Sequence, residues 1–115
     1  MHWSTYLKLY INTMNDLDRN KNSQVKIRGH IVVNGKVQGV YFRQNAQRIC
    51  SEYGVTGWVR NVENGSVEAI LEGDKSSVED AISWFKVGPP NAHVEKIDLK
   101  YDSYSGEFQD FKIND

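Results

Sequence analysis

Apolar residues along this chain follow two periods in turn, and the switches between them mark its elements. From Ile27 to Asn34 the segment contains Ile31, Val32 and Val33 and predicts a strand. The pattern then becomes helical. Phe42, Ala46, Ile49, Cys50 and Tyr53 share one helix face, and Gly54 stands where a left-handed residue would end it. Val55 to Val62 and Ser66 to Gly73 read as a hairpin turned by Glu63, Asn64 and Gly65. In its second strand Val67, Ala69 and Leu71 point inward, while Glu68 and Glu72 belong to a face largely open to water. A second helix is expected from about Ser76, because Ser76 and Glu79 have capping-box spacing. Val78, Ala81, Ile82 and Phe85 form its inner face, and Gly88-Pro89-Pro90 stops it. A strand from Val94 to Ser103 offers Val94, Ile97, Leu99 and Tyr101 to the core. After a turn at Gly106, a short strand from Phe108 to Ile113 closes the series.

The order strand, helix, strand, strand, helix, strand is the split βαβ of an α+β, ferredoxin-like sandwich. Right-handed crossovers then place both helices on one face of an antiparallel sheet.

Before Val25 the pattern differs. Trp3, Tyr6, Leu7, Tyr10, Ile11 and Met14 have the spacing of a short amphipathic helix, whereas residues 15–24 are polar and rich in Asn, Asp and Lys. The chain is therefore divided into an N-terminal extension, 1–24, and a folded domain, 25–115. The extension lacks the basic start, apolar centre and small-residue cleavage site of a signal peptide, and Met14 is an alternative natural start.

Charge and composition narrow the partners. With 115 residues and a formal net charge of -1, the chain supports one core and presents no basic field to a polyanion, so no nucleic-acid partner is expected. The single cysteine cannot form an internal disulfide, and no apolar run reaches membrane-spanning length. A cytoplasmic monomer without a membrane partner is the expectation.

Candidate chemistry begins where the first strand meets the first helix. Gly35-Lys36-Val37-Gln38-Gly39-Val40-Tyr41-Phe42-Arg43 places two glycines before an arginine at a strand-to-helix junction. Such a turn can aim successive backbone N–H groups at an anion, and the guanidinium adds a planar fork that matches phosphate oxygens. It reads as a phosphate cradle built from the backbone of Val37, Gln38, Gly39, Val40, Tyr41 and Phe42, with Arg43 beside it. A second constellation, Gly57-Trp58-Val59-Arg60-Asn61-Val62-Glu63-Asn64-Gly65-Ser66-Val67, continues through Glu68 to Gly73 in the hairpin.

Together these segments resemble the two signature motifs of the acylphosphatase family, in the same order and with a fitting helix between them. The resemblance extends from about Val25 to the C-terminus. It implies a ferredoxin-like fold with sheet order 4-1-3-2 and an enzyme that hydrolyses the carboxyl-phosphate bond of small acyl phosphates. In the family the matching Arg and Asn are catalytic, and Arg43 and Asn61 occupy those positions.

The residues allow this chemistry and disfavour others. Cys50 has Thr56, not Arg, six positions on and belongs to an inner helix face, so it is a core residue rather than a phosphatase nucleophile. Asp16-Leu17-Asp18 lies in the polar linker with no strand before it. His2, His30 and His93 are scattered without metal-ligand spacing, and no phosphate loop for a nucleotide is present, so neither metal nor cofactor is expected. A cradle without nucleophile, metal or general acid suits a bond that is already activated. The leaving group of an acyl phosphate is a carboxylate whose acid has a pKa of roughly 4, so it departs without protonation. The protein then has to grip the phosphoryl oxygens, the role given to Arg43 and the cradle, and to place a water in line, the role given to Asn61. Inorganic phosphate or sulfate should compete for the same cradle. Gln38 and Ser66 flank the site, and Trp58 and Tyr41 either wall it or pack. Two other readings stay open: an RNA-binding ferredoxin-like module, disfavoured by charge and by the missing stacking motif, and the acylphosphatase-like domain of a larger carbamoyl-transfer maturation protein, disfavoured because zinc-finger cysteines do not follow.

Overall fold

The computed structural model describes residues 25–114; the extension 1–24, with its helical apolar spacing, lies outside them. Strand β1 (Lys26–Lys36) alternates as its sequence requires, burying Gly29, Ile31 and Val33 on one face and leaving Arg28, His30 and Val32 half-buried on the other. It is an interior strand, antiparallel both to β3 (Val67–Asp74) and to β4 (His93–Asp102). Strand β2 (Thr56–Asn61) pairs with β3 as the expected hairpin. Gly57 is required in β2: its φ is +135°, and a Cβ there would lie 1.9 Å from the Ile70 carbonyl oxygen.

Helices α1 (Phe42–Glu52) and α2 (Lys75–Phe85) cover one face of the sheet. The α2 side chains Val78 and Ile82 pack over Gly29, where the lack of a side chain allows the helix close to β1. Phe42 joins the two helices, its ring centroid 5.1 Å from that of Trp84 and 5.7 Å from that of Phe85. Ile31, Val33, Val59, Val67, Ala69, Leu71, Val78, Ala81 and Phe85 are fully buried between helices and sheet. Each large apolar side chain so buried contributes about 1.5–3 kcal/mol. The α+β, ferredoxin-like architecture expected from the sequence is the one observed.

The strand order is β4-β1-β3-β2-β5, which contains the expected 4-1-3-2 and extends it. The extra strand, β5 (Phe111–Asn114), lies parallel to β2, so the sheet is mixed rather than wholly antiparallel. Two contacts seat it: the Gly57 N–H donates to the Asp110 carbonyl at 3.0 Å, and the Gln47 side chain donates to the Phe111 carbonyl at 3.1 Å.

Four local expectations are corrected. Helix α2 begins at Lys75, with Asp74 at the N-cap and no side-chain cap; the Asp74 carboxylate pairs with Lys26, and the Lys75 N–H donates to the Val25 carbonyl at 2.8 Å. Ser76 is thus inside the helix rather than capping it. Tyr53 and Tyr101 are 45% and 51% exposed, because one sits at the end of α1 and the other on a strand that, among the described residues, forms the edge of the sheet. Phe108 lies outside the last strand, beneath the Arg28 guanidinium at 5.6 Å. Glu72, expected to be wet, is fully buried. The segment before β5 crosses the open face of the sheet, and Glu72 accepts from the Ser105 N–H at 2.8 Å, the Ser105 hydroxyl at 2.9 Å and the Gly106 N–H at 3.1 Å.

Candidate active site

The chain leaves β1 at Lys36, turns through residues 37–41 and enters α1 at Phe42. Gly39 has φ +75°, a left-handed value that favours glycine, and a Cβ there would meet no atom within 4 Å, so the space beside this backbone is open. Tyr41, the N-cap of α1, is also left-handed at φ 63°, ψ 27°, and is the only non-glycine with positive φ among the described residues. Such a conformation costs on the order of 1–2 kcal/mol and persists where surrounding structure enforces it. The enforcing contacts come from Asn45, whose backbone N–H and side-chain amide both donate to the Tyr41 carbonyl, at 3.1 and 2.9 Å.

This turn forms one wall of a cleft of about 260 Å³ lined by Val37, Gly39, Tyr41, Phe42, Arg43, Gln44 and Asn61. Phe42, Arg43 and Gln44 are the first turn of α1, whose N–H groups and dipole favour an anion. The backbone N–H groups of residues 38–41 donate to no backbone carbonyl among the described residues. Asn61 enters from the opposite wall. It is the last residue of β2, paired with Val67, and its Oδ1 is buried with no donor among the described residues. An unpartnered buried acceptor costs roughly 1–3 kcal/mol, which a hydrogen-bonding ligand in the cleft would recover.

The fold therefore brings Val37, Gly39, Tyr41, Phe42 and Arg43 of one turn together with Asn61 of β2 around one cavity. Val40 is buried in the core, leaving only its backbone for the turn. Gln38 turns its side chain away, donating to the Val62 and Ser66 carbonyls at 2.8 and 2.9 Å. A family model for acylphosphatases matches residues 29–113.

The chain belongs to the acylphosphatase family. It is 52% identical to an acylphosphatase of Pyrobaculum islandicum over 88 residues, 76% of this chain and 93% of that protein. An acylphosphatase structure from Coxiella burnetii superposes with a TM-score of 0.75 at 31% identity, covering 82% of this chain and 98% of that one. The acylphosphatase structure from Bacillus subtilis gives 0.74 at 30% identity, over 76% of this chain and 98% of that one. Hydrolysis of acyl phosphates is the activity of an acylphosphatase, and a small acyl phosphate its substrate.

Other side chains of the acylphosphatase motifs sort by face. Trp58 and Arg60 project from the side of β2 opposite Val59 and Asn61: the Arg60 guanidinium lies 5.6 Å over the Trp58 ring and 2.6 Å from the Glu68 carboxylate. Trp58 therefore walls the other face of the sheet, not the cleft. Burial raises the Glu68 pKa, but hydrogen bonds from His30 and Arg60 outweigh it and hold the carboxyl below its ordinary value. Cys50 is fully buried in α1, and loss of solvent pushes its thiol up to about 12. Among the described residues, no group of three or more His, Cys, Asp or Glu stands together as a metal site, and no helix is long and apolar enough to cross a membrane. Gln44 is the cleft residue that sequence reading missed. Its position in the first turn of the helix beginning at Phe42 was the available signal.

Proposed function

We propose that this acylphosphatase cleaves the carboxyl-phosphate bond by in-line attack of a water oriented by Asn61, with the phosphoryl group held by Arg43 and the backbone N–H groups of residues 37–42. The observation that supports this reading most directly is the buried, unpartnered Oδ1 of Asn61 in the cleft that Arg43 also lines. An amide offers an acceptor for one proton of the water and a donor for its oxygen or for the phosphoryl group, and it does not titrate near neutrality. Arg43 and the start of α1 supply positive potential where charge spreads over the phosphoryl oxygens. The leaving carboxylate needs no proton, and among the described residues the cleft is lined by no carboxylic acid or imidazole that could give one.

The substrates are small carboxyl phosphates such as acetyl phosphate, carbamoyl phosphate or 1,3-bisphosphoglycerate, and inorganic phosphate or sulfate competes with them at the cradle. Catalysis runs without a metal, in a cytoplasmic monomer. The test is hydrolysis of benzoyl phosphate beside p-nitrophenyl phosphate, each with and without EDTA. Turnover of the first, little of the second and indifference to chelator are expected. Equal turnover of both, or loss with EDTA restored by a divalent ion, would overturn the mechanism.

A further inference from the structure

Arg43 and Asn61 can cooperate only if their two chain segments keep a fixed spacing, yet the segments come from different halves of the site. Residues 38–41 make no backbone hydrogen bond to the β2–β3 hairpin among the described residues. The Gln38 side chain bridges the gap. Its Nε2 donates to the Val62 carbonyl at 2.8 Å and to the Ser66 carbonyl at 2.9 Å. Both partners can only accept, so the amide nitrogen, not its oxygen, must face the hairpin.

These two carbonyls close the base of the turn just beyond Asn61. The Val62 carbonyl also takes the Gly65 N–H at 3.0 Å, and the Ser66 carbonyl takes the Val62 N–H at 2.9 Å. Asn64 stiffens the same turn, its Oδ1 accepting from the Ser66 N–H at 3.0 Å and the Ser66 hydroxyl at 2.6 Å. Gln38 thus joins a turn already braced on its own side. Both Gln38 amide hydrogens are spent on the hairpin, and none is left for a phosphoryl oxygen.

We infer that the Gln38 side chain is a positioning residue, a brace that sets the distance from the phosphate cradle to Asn61 and so keeps the attacking water in line. The inference rests on the roles proposed for Arg43 and Asn61. Loss of such alignment lowers turnover steeply while leaving the cradle able to hold phosphate.

The experiment is a double-mutant cycle of Gln38→Met with Asn61→Ala, reading kcat on benzoyl phosphate and phosphate affinity by titration. Gln38→Met keeps length and removes both donors. It should lower kcat about tenfold or more in the parent, by less than about twofold once Asn61 is absent, with phosphate affinity within about threefold throughout. An equal loss in both backgrounds, or a loss confined to phosphate affinity, would overturn the brace. If Asn61→Ala alone kept its kcat, the water-orienting role would fall instead, so the two failures are distinguishable. Gln38→Glu gives a second readout. Its carboxylate faces two carbonyl oxygens, and protonation restores one donor, so kcat relative to parent should recover as pH falls; a flat ratio would count against the brace. Loss of cooperative melting in both variants would assign the side chain to fold stability alone and also overturn it.

Discussion

Arg28 on β1 and Glu72 on β3 meet across the open face of the sheet, Nη1 to Oε2 at 3.3 Å, with the Arg28 side chain partly exposed and Glu72 sealed. Arg28 also reaches Glu107 at 3.0 Å and the Ser105 hydroxyl at 3.2 Å. Glu72 therefore fastens the crossing segment that leads to β5. Burial raises its pKa, but the hydrogen bonds from Ser105 and Gly106, with that from Arg28, outweigh it and leave the carboxyl below its ordinary value.

Glu72→Ala should consequently destabilise the fold by about 2–4 kcal/mol, since it strips several donors of their buried acceptor. Urea melts of parent and variant measure this, with turnover per folded molecule largely kept.

Acid should weaken the parent through the same group. A carboxyl with a depressed folded pKa stabilises the fold above its unfolded pKa, and that contribution disappears as pH falls through the folded value. Glu68 is shifted in the same direction. Melting temperature followed downward from neutral pH should fall through the carboxylate range, and less steeply in Glu72→Gln.

Arg43→Gln should weaken phosphate binding and lower kcat together, because the proposed role has the guanidinium gripping the phosphoryl group before and during reaction. Losing a charge-assisted hydrogen bond of about 1.5–3 kcal/mol corresponds to roughly ten- to a hundredfold in each measurement. Unchanged phosphate affinity would remove Arg43 from this role.

Asn61→Ala should separate the two quantities. kcat should fall by about a hundredfold or more, while phosphate binds nearly as in the parent, as expected when only the reacting water is misplaced. Steady-state kinetics with phosphate as inhibitor read both.

Cys50 should be inert while the chain is folded, its thiol buried and raised to about 12. Iodoacetamide should label it only after denaturation, and Cys50→Ala should keep kcat at a cost of about 1 kcal/mol in stability. Inactivation of the folded enzyme by thiol reagents would contradict this.

Much of this molecule was legible in local pattern. The alternation of Ile31 and Val33, the helical spacing of Phe42, Ala46 and Cys50, and the two glycine-bearing motifs each report a contact their own neighbours require. What stayed hidden depends on residues far away in the chain. Nothing near Glu72 announces that Ser105 and Gly106 will fold over it, and nothing near Phe111 specifies β2 as its parallel neighbour. Gln38 looked like a flanking residue because its partners, the Val62 and Ser66 carbonyls, are backbone atoms that no side-chain pattern encodes. Trp58 was ambiguous for a simpler reason. A three-residue offset from Asn61 along β2, an odd number, sends it to the other face.

The parallel pairing of β5 with β2 has a bearing on the order in which the enzyme becomes active. During synthesis the motif containing Arg43 and the hairpin containing Asn61 emerge well before Phe111–Asn114, yet β2 gains its outer neighbour only from that late segment. Nascent chains would hold both of these motifs before the sheet that steadies them is complete. Contacts between such distant stretches also slow the search for the native state, because loop closure is paid before they form. Activity should therefore mature only once the Phe111–Asn114 segment has emerged and paired with β2, tying the onset of hydrolysis to the docking of that strand.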